Sequence, residues 1–337
     1  MKAFVITAPG KSVVADVEEP QPLAGEVVVK VTRAGICGTD VELFDGTMSY
    51  LHNGQAQYPL RIGHEWCGVV TKVGDGVDKK WLGKRVTGDT MLGCQKCWVC
   101  LNRAQHLCPG RYEIGIRNGW HGALAEQLSV PEWALFEIPD SIDDVIGALI
   151  EPGGNADRVA RAAEAAPGKK ILIYGTGTIG LLSAQFSMAM GAEVHMVGQD
   201  PTTMELARKI GVTHAGTEPI EVENGFDAVV DASNGDVVPS LAMNAAAYGG
   251  KIVYIGISST PSYIDSRTLV FRDLTAIGIL SASPGLPGAI RMFSSGEIDP
   301  HILIAGTVSL YEAGSVLSGH TPVGAGVGTK ILVDPTL

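Results

Sequence analysis

Two sets of side chains in this sequence could bind metal. The first is Cys94-Gln-Lys-Cys-Trp-Val-Cys-Leu-Asn-Arg-Ala-Gln-His-Leu-Cys108, a C-x2-C-x2-C-x7-C run. Four thiolates this close in sequence can close a tetrahedron around a structural zinc ion, with no position left open for chemistry. An iron–sulfur site and two disulfides are the rivals. Pro109 follows the last cysteine as in bacterial ferredoxins, but their last gap is three residues and here it is seven. The second set is dispersed. Cys37 stands in Ala34-Gly-Ile-Cys-Gly-Thr-Asp, just before Val41-Glu-Leu-Phe, a short helix in expectation. There a thiol can become a low-pKa thiolate suited to a metal. His64 and Glu65 follow in Arg61-Ile-Gly-His-Glu-Trp-Cys-Gly. Two ionisable residues in so apolar a setting call for pairing or a metal. With Cys37 upstream, a zinc site with S, N and O donors is the expectation. Cys67 has no ligand-spaced cysteine near it and reads as packing.

A third set could hold a dinucleotide. Lys170-Ile-Leu-Ile-Tyr-Gly-Thr-Gly-Thr-Ile-Gly reads as a buried strand, a turn over Gly175, Thr176, Gly177, Thr178, Ile179 and Gly180, and a helix opening near Leu181. Gly175 permits the turn, Gly177 lets a pyrophosphate approach, and Gly180 lets helix pack on strand. The helix N-terminus then faces the phosphates. Ala192-Glu-Val-His-Met-Val follows as the next strand, at βαβ distance. A carboxylate at its end favours NAD, and a cation favours NADP. That position is Gly198, followed by Gln199, with Asp200 two residues late, so NAD and NADP both stay open.

The elements that must position these groups fall into two kinds. Residues 1 to about 145 carry short β-branched runs, among them Val27–Arg33, Gly68–Gly74 and Lys84–Gly88, which suggest an irregular barrel-like β domain. Beyond them strands and helices alternate. Asp227–Ala232, Lys251–Gly256 and Leu274–Leu280 read as strands; Thr203–Ile210, Pro239–Ala247 and Gly285–Glu297 read as helices. Together they predict a doubly wound parallel sheet. The whole is an α/β protein.

With 337 residues, 45% of them hydrophobic, the chain can bury a large core. A net charge of −11 argues against nucleic acid, and no apolar run is long enough to span a membrane. The N-terminus reads as a strand rather than a signal peptide. Six cysteines without an export signal favour thiols or metal ligands, and a cytoplasmic location.

The order Gly-Ile-Cys-Gly-Thr-Asp, Gly-His-Glu, four-cysteine lobe, Gly-Thr-Gly-Thr-Ile-Gly resembles the zinc-containing medium-chain dehydrogenase/reductase superfamily, over nearly the whole chain. The resemblance implies a GroES-like catalytic domain (1–147), a Rossmann NAD(P)-binding domain (148–284), and a C-terminal return to the catalytic domain (285–337). It makes Cys37 and His64 catalytic zinc ligands and Cys94, Cys97, Cys100 and Cys108 the structural zinc site. It gives Thr39 the hydroxyl that bonds the substrate alcohol, although Glu42 stands where many members carry a relay histidine. No cysteine follows Cys108. At the corresponding place Glu151-Pro-Gly-Gly resembles the polyol and sugar dehydrogenases, in which carboxylates matching Glu65 and Glu151 sit at the metal. Lys330 matches a basic position that reaches the cofactor phosphates. The loop Gly46–Tyr58, with Tyr50, His52 and Asn53, could bind a polyhydroxylated substrate, and with Gly-His-Glu-Trp it looks like cyclitol-type dehydrogenases. The expected activity is therefore oxidation of a secondary alcohol of a polyol, sugar or aminocyclitol, by a homodimer or homotetramer. The alternatives are a zinc-free reductase of the quinone-reductase type and a cofactor-binding protein without turnover.

Overall fold

The computed structural model describes residues 1–337, which form two compact units. The first comprises Met1–Glu151, Ile304–Gly326 and Lys330–Leu337. Its centre is β1 (Glu26–Gly35), which leads into a short helix α1 (Gly38–Asp45). β1 pairs antiparallel with β2 (Glu65–Val73) along nearly its whole length. On its other side it pairs with Gln127–Pro131 through its first half and with the C-terminal strand Lys330–Val333 at its last two residues. The β-branched run supplies Val27, Val29 and Val31 to a core that also holds Phe4, Ile6, Trp66 and Leu128. Burying each such side chain contributes about 1.5–3 kcal/mol.

The register places Gly35 directly opposite Glu65. A Cβ on Gly35 would lie 2.1 Å from Glu65 Oε2, so only glycine leaves room for that carboxylate. The strand pair is thus shaped around a buried acid.

The second unit comprises Pro152–Leu303 with Val327–Thr329. Its sheet contains β3 (Lys170–Tyr174), β4 (Glu193–Val197), β5 (His214–Gly216), β6 (Phe226–Asp231), β7 (Ala246–Tyr254) and β8 (Thr275–Gly278). All pairings are parallel, in the order β5-β4-β3-β6-β7-β8. This is the Rossmann order, whose direction reverses between β3 and β6. Ile171, Leu172 and Ile173 are fully buried, as expected for a strand covered on both faces. Helix α2 (Thr178–Ala189) follows β3, and α3 (Pro201–Lys209) follows β4.

Two boundaries differ from expectation. α2 opens at Thr178 rather than near Leu181, because Gly177 already has the extended backbone of a cap and Leu181 N donates to its carbonyl. The chain returns to the first unit at Ile304 rather than at residue 285, since the helix Leu286–Ser295 packs within the second unit. Ala289 and Phe293 on that helix lie against Gly153, where a Cβ would meet them at 3.1 and 2.7 Å.

Candidate metal and cofactor sites

Cys37 ends the segment leaving β1 and caps α1, while His64 and Glu65 open β2. The pairing of the two strands brings these residues together. A Cys37 sulfur, a His64 nitrogen and a Glu65 oxygen all lie within 4.8 Å of one another. His64 and Glu65 are buried, 5% and 1% exposed. That is a soft, a borderline and a hard donor on one small volume, a set suited to zinc. His64 Nδ1 makes no hydrogen bond, so it is available as a ligand atom.

The surroundings are charged as well. Asp40, wholly buried in α1, accepts from Cys37 N at 2.9 Å and puts its other oxygen 3.6 Å from His64 Nδ1. Burial opposes a charge on His64, but the Asp40 carboxylate and the Cys37 sulfur override it and hold the imidazole well above its ordinary range. Such a field suits a resident cation. Residue pattern alone gives Asp40, in Gly-Thr-Asp, no role. Its place one helical turn from Cys37 was the available signal.

Lys330 differs from expectation. Instead of standing free for phosphates, its Nζ donates to both oxygens of Glu65, at 2.8 and 2.7 Å, and to Ile36 O at 2.9 Å. An ammonium has three protons, and these bonds use all three. The lysine is 2% exposed. Burial disfavours its charge, yet Glu65, Cys37 and Asp40 together raise its pKa. Glu65 is therefore a carboxylate shared between Lys330 and the Cys37–His64 volume.

Thr39 lies half-buried in the first turn of α1. Glu151 sits in the first turn of the helix Ile150–Ala162 and is 8% exposed, so it is not the surface acid that its place before Pro152 would suggest. In the loop, Tyr50 is committed elsewhere. Its hydroxyl donates to Glu113, and the Arg117 guanidinium stacks on its ring. Cys67 is packing, as read: burial pushes its thiol up to about 12, and it donates to Asp144 O.

The four lobe cysteines converge with sulfurs 3.5, 3.7 and 4.0 Å apart for the pairs Cys97–Cys100, Cys97–Cys108 and Cys94–Cys100. A zinc tetrahedron with bonds of about 2.3 Å has edges of about 3.8 Å. A disulfide would need about 2.05 Å. The backbone N–H groups of Lys96 and Cys97 hold Cys94 down to about 6. Burial, reinforced by neighbouring thiols, pushes Cys100 up to about 12. Four thiolates coexist here only with a cation among them, and one tetrahedral ion fits.

The dinucleotide turn has the required shape. Gly175 has φ +104°, and a Cβ there would meet Ala232 O at 2.4 Å. A Cβ on Gly180 would lie 2.0 Å from Gly175 O, whereas Gly177 faces open space. Gly175 thus makes the turn, Gly180 allows the close helix approach, and Gly177 leaves space beside the backbone. Thr178 Oγ1 hydrogen-bonds Thr329 Oγ1 at 3.0 Å, Thr176 is buried, and Ile179 lies in the first turn of α2. Gly198 and Gln199 follow β4; Gln199 Nε2 reaches Thr217 O at 3.5 Å.

The alcohol dehydrogenase GroES-like domain matches residues 23–140, and the zinc-binding dehydrogenase domain matches residues 178–295. L-threonine 3-dehydrogenase of Idiomarina loihiensis is 32% identical over 279 residues, 78% of this chain and 79% of that one. Two solved structures each share 99% coverage of both chains. One is a Sinorhizobium meliloti 1021 protein assigned to the zinc-binding dehydrogenases and bound to NADP, at 29% identity and TM-score 0.88. The other is the rspB alcohol dehydrogenase of Escherichia coli CFT073 with NADH, at 26% and 0.89.

Proposed function

This chain belongs to the zinc-containing medium-chain dehydrogenase/reductase superfamily as an NAD(P)-dependent alcohol dehydrogenase, and from that premise we propose that it oxidises a secondary alcohol of a polyol, sugar or aminocyclitol, reversibly, to the ketone. The observation that carries this reading is the convergence of Cys37, His64 and Glu65 within 4.8 Å. The branch is supported by Glu151-Pro-Gly-Gly, where cysteine-liganded relatives would need a thiol that this chain lacks after Cys108.

Zinc at Cys37 and His64, with Glu65 or Glu151 completing the set, supplies Lewis acidity, and the nicotinamide supplies the hydride acceptor. The chain's own groups do the rest. Asp40, with a carboxylate oxygen 3.6 Å from His64 Nδ1, adds a buried negative charge beside the cation's position. Lys330 holds Glu65 and tempers the negative charge around the thiolate. Thr39, whose hydroxyl donates and accepts at once, would accept the alcohol's hydrogen bond and relay its proton onward to solvent. Gly175 to Gly180 with the N-terminus of α2 seat the pyrophosphate. Lys330, saturated by Glu65 and Ile36, acts on the metal side and not on the phosphates.

A homodimer or homotetramer is part of the proposal. β8 ends the six-stranded sheet with one edge unpaired, and Tyr248, Val270 and Phe271 in the same unit are 76–79% exposed. An open edge with apolar neighbours favours edge-to-edge association.

The test is a panel of polyols, sugars, cyclitols and simple aliphatic alcohols, each with NAD and NADP, run on the parent and on Cys37→Ser. Turnover of a polyhydroxylated alcohol by the parent, lost with one of two zinc ions in Cys37→Ser, is expected. A variant that keeps the parent rate, or a parent that turns over only aliphatic alcohols, refutes the reading.

A further inference from the structure

The end of β4 has an arrangement that the glycine turn alone does not explain. Gly198 occupies the place from which a carboxylate would bond the adenosine ribose. A Cβ there would lie 2.4 Å from Thr176 Oγ1 and 2.6 Å from Thr176 Cγ2. Thr176 cannot easily step aside. It is 6% exposed, and its Oγ1 lies 2.6 Å from Thr203 Oγ1 in α3. The Thr203 hydroxyl donates onward to Asp200 O at 3.2 Å, so its oxygen accepts from Thr176. This two-hydroxyl chain fills the space that an acidic side chain on residue 198 would need. The ribose-bonding acid is excluded by packing.

The acid that remains is Asp200. It caps α3, with Oδ1 accepting from Thr202 N at 2.9 Å, and it is exposed. Its carboxylate is thus tied to the helix terminus, two residues past the ribose position. No cation offsets it nearby in sequence. Arg208 is committed to Glu205 at 3.2 Å and to Ala215 O at 3.0 Å, and Gln199 carries no charge. A 2′-phosphate brings about −1.5 to −2 charges to this strand end. The helix dipole would favour it, but the capping carboxylate occupies that terminus with charge of the same sign.

We propose, resting on the dinucleotide reading above, that this chain selects NAD(H) over NADP(H) by repulsion: Asp200 at the cap of α3 excludes the 2′-phosphate, while Thr176 closes the position of the ribose-bonding acid. Selectivity of this kind is modest and salt-dependent, because the repelling charge is exposed and screened over about 10 Å at 0.1 M ionic strength.

The test is a fluorescence titration of the zinc-loaded enzyme with NADH and with NADPH at pH 8, at low salt and at 0.5 M NaCl. The parent should bind NADPH roughly tenfold more weakly than NADH, with the gap narrowing in high salt. Asp200→Asn keeps a good N-cap but removes the charge. It should tighten NADPH about five- to tenfold, leave NADH within about twofold, and leave the thermal midpoint unchanged. Gly198→Asp alone should weaken NADH, and Thr176→Gly/Gly198→Asp should restore or tighten it. A parent that binds NADPH as tightly as NADH, an Asp200→Asn variant with an unchanged ratio, or tightened NADH binding in Gly198→Asp alone overturns the proposal. A parent that binds neither nucleotide overturns the dinucleotide reading and this inference together.

Discussion

Replacing Lys330 with methionine tests how the metal-side charges are balanced. The side chain keeps its length and loses its ammonium. Glu65 then loses hydrogen bonds of 2.7 and 2.8 Å, and Ile36 O loses one of 2.9 Å, in a place where lysine and glutamate are 2% and 1% exposed. Removing one member of a buried pair costs about 3–5 kcal/mol, because the partner's charge is left uncompensated. Each kcal/mol moves the midpoint of a unit of this size by about 2–4 °C, so a drop of roughly 6–20 °C is expected. The assay is thermal unfolding of zinc-loaded parent, Lys330→Met, Glu65→Gln and the double variant, followed by tryptophan fluorescence; Trp66 is buried in the affected unit. The double variant should recover part of the loss, since no net charge is then stranded. A Lys330→Met midpoint within about 2 °C of the parent, or a double variant no better than the sum of the singles, refutes the account of Lys330 as the partner of Glu65.

The lobe cysteines give a second expectation. Cys97→Ser should lower the zinc content from two to one per chain and cost several kcal/mol in stability, on the order of what a structural metal contributes to a small lobe, as read by metal analysis and thermal unfolding. A third concerns pH. Burial, with the Arg61 guanidinium beside it, pushes His121 down to about 4. An unfolded histidine titrates near 6.5, so between these values the unfolded chain binds more protons. The contribution is full above pH 6.5 and is lost as pH falls towards 4. It should be small, since the residue is only partly buried and solvent screens the part that remains exposed. His121→Gln should flatten this acid-side slope in urea midpoints taken from pH 8 to pH 4.5, and an unchanged slope counts against it.

What the sequence disclosed tracks how local each signal is. The strand–turn–helix at residues 170–189 and the four-cysteine lobe were legible because all their determinants fall within about twenty consecutive residues. Alternating β-branched runs located β1 and β2, and their apolar neighbours located the core. Pairings over long separations were not legible in residue patterns. Lys330 and Glu65 are 265 residues apart, and nothing in the pattern around either names the other. Lys330 was therefore assigned to phosphates by resemblance, whereas packing gives it to a carboxylate. The blocking of residue 198 by Thr176 was hidden for the same reason: it depends on the distance between two loop ends and not on any spacing. The late return at Ile304 was missed because helix Leu286–Ser295 has the same amphipathic look whichever unit it joins.

The C-terminal strand also bears on biosynthesis. Leu332 and Val333 pair with Gly35 and Ala34, and Asp334 bonds Arg33 across 301 residues. At about 5–20 residues per second, a nascent chain waits roughly 15–60 s between making one partner and the other. Throughout that interval the metal-side acid has no lysine and a central strand end has no neighbour. The second unit, continuous from Pro152 to Leu303 and completed only by Val327–Thr329, can close most of its sheet first, leaving the half that emerged earlier to finish last. Loss of Lys330–Val333 would leave Glu65 and the end of β1 without these partners in the finished chain.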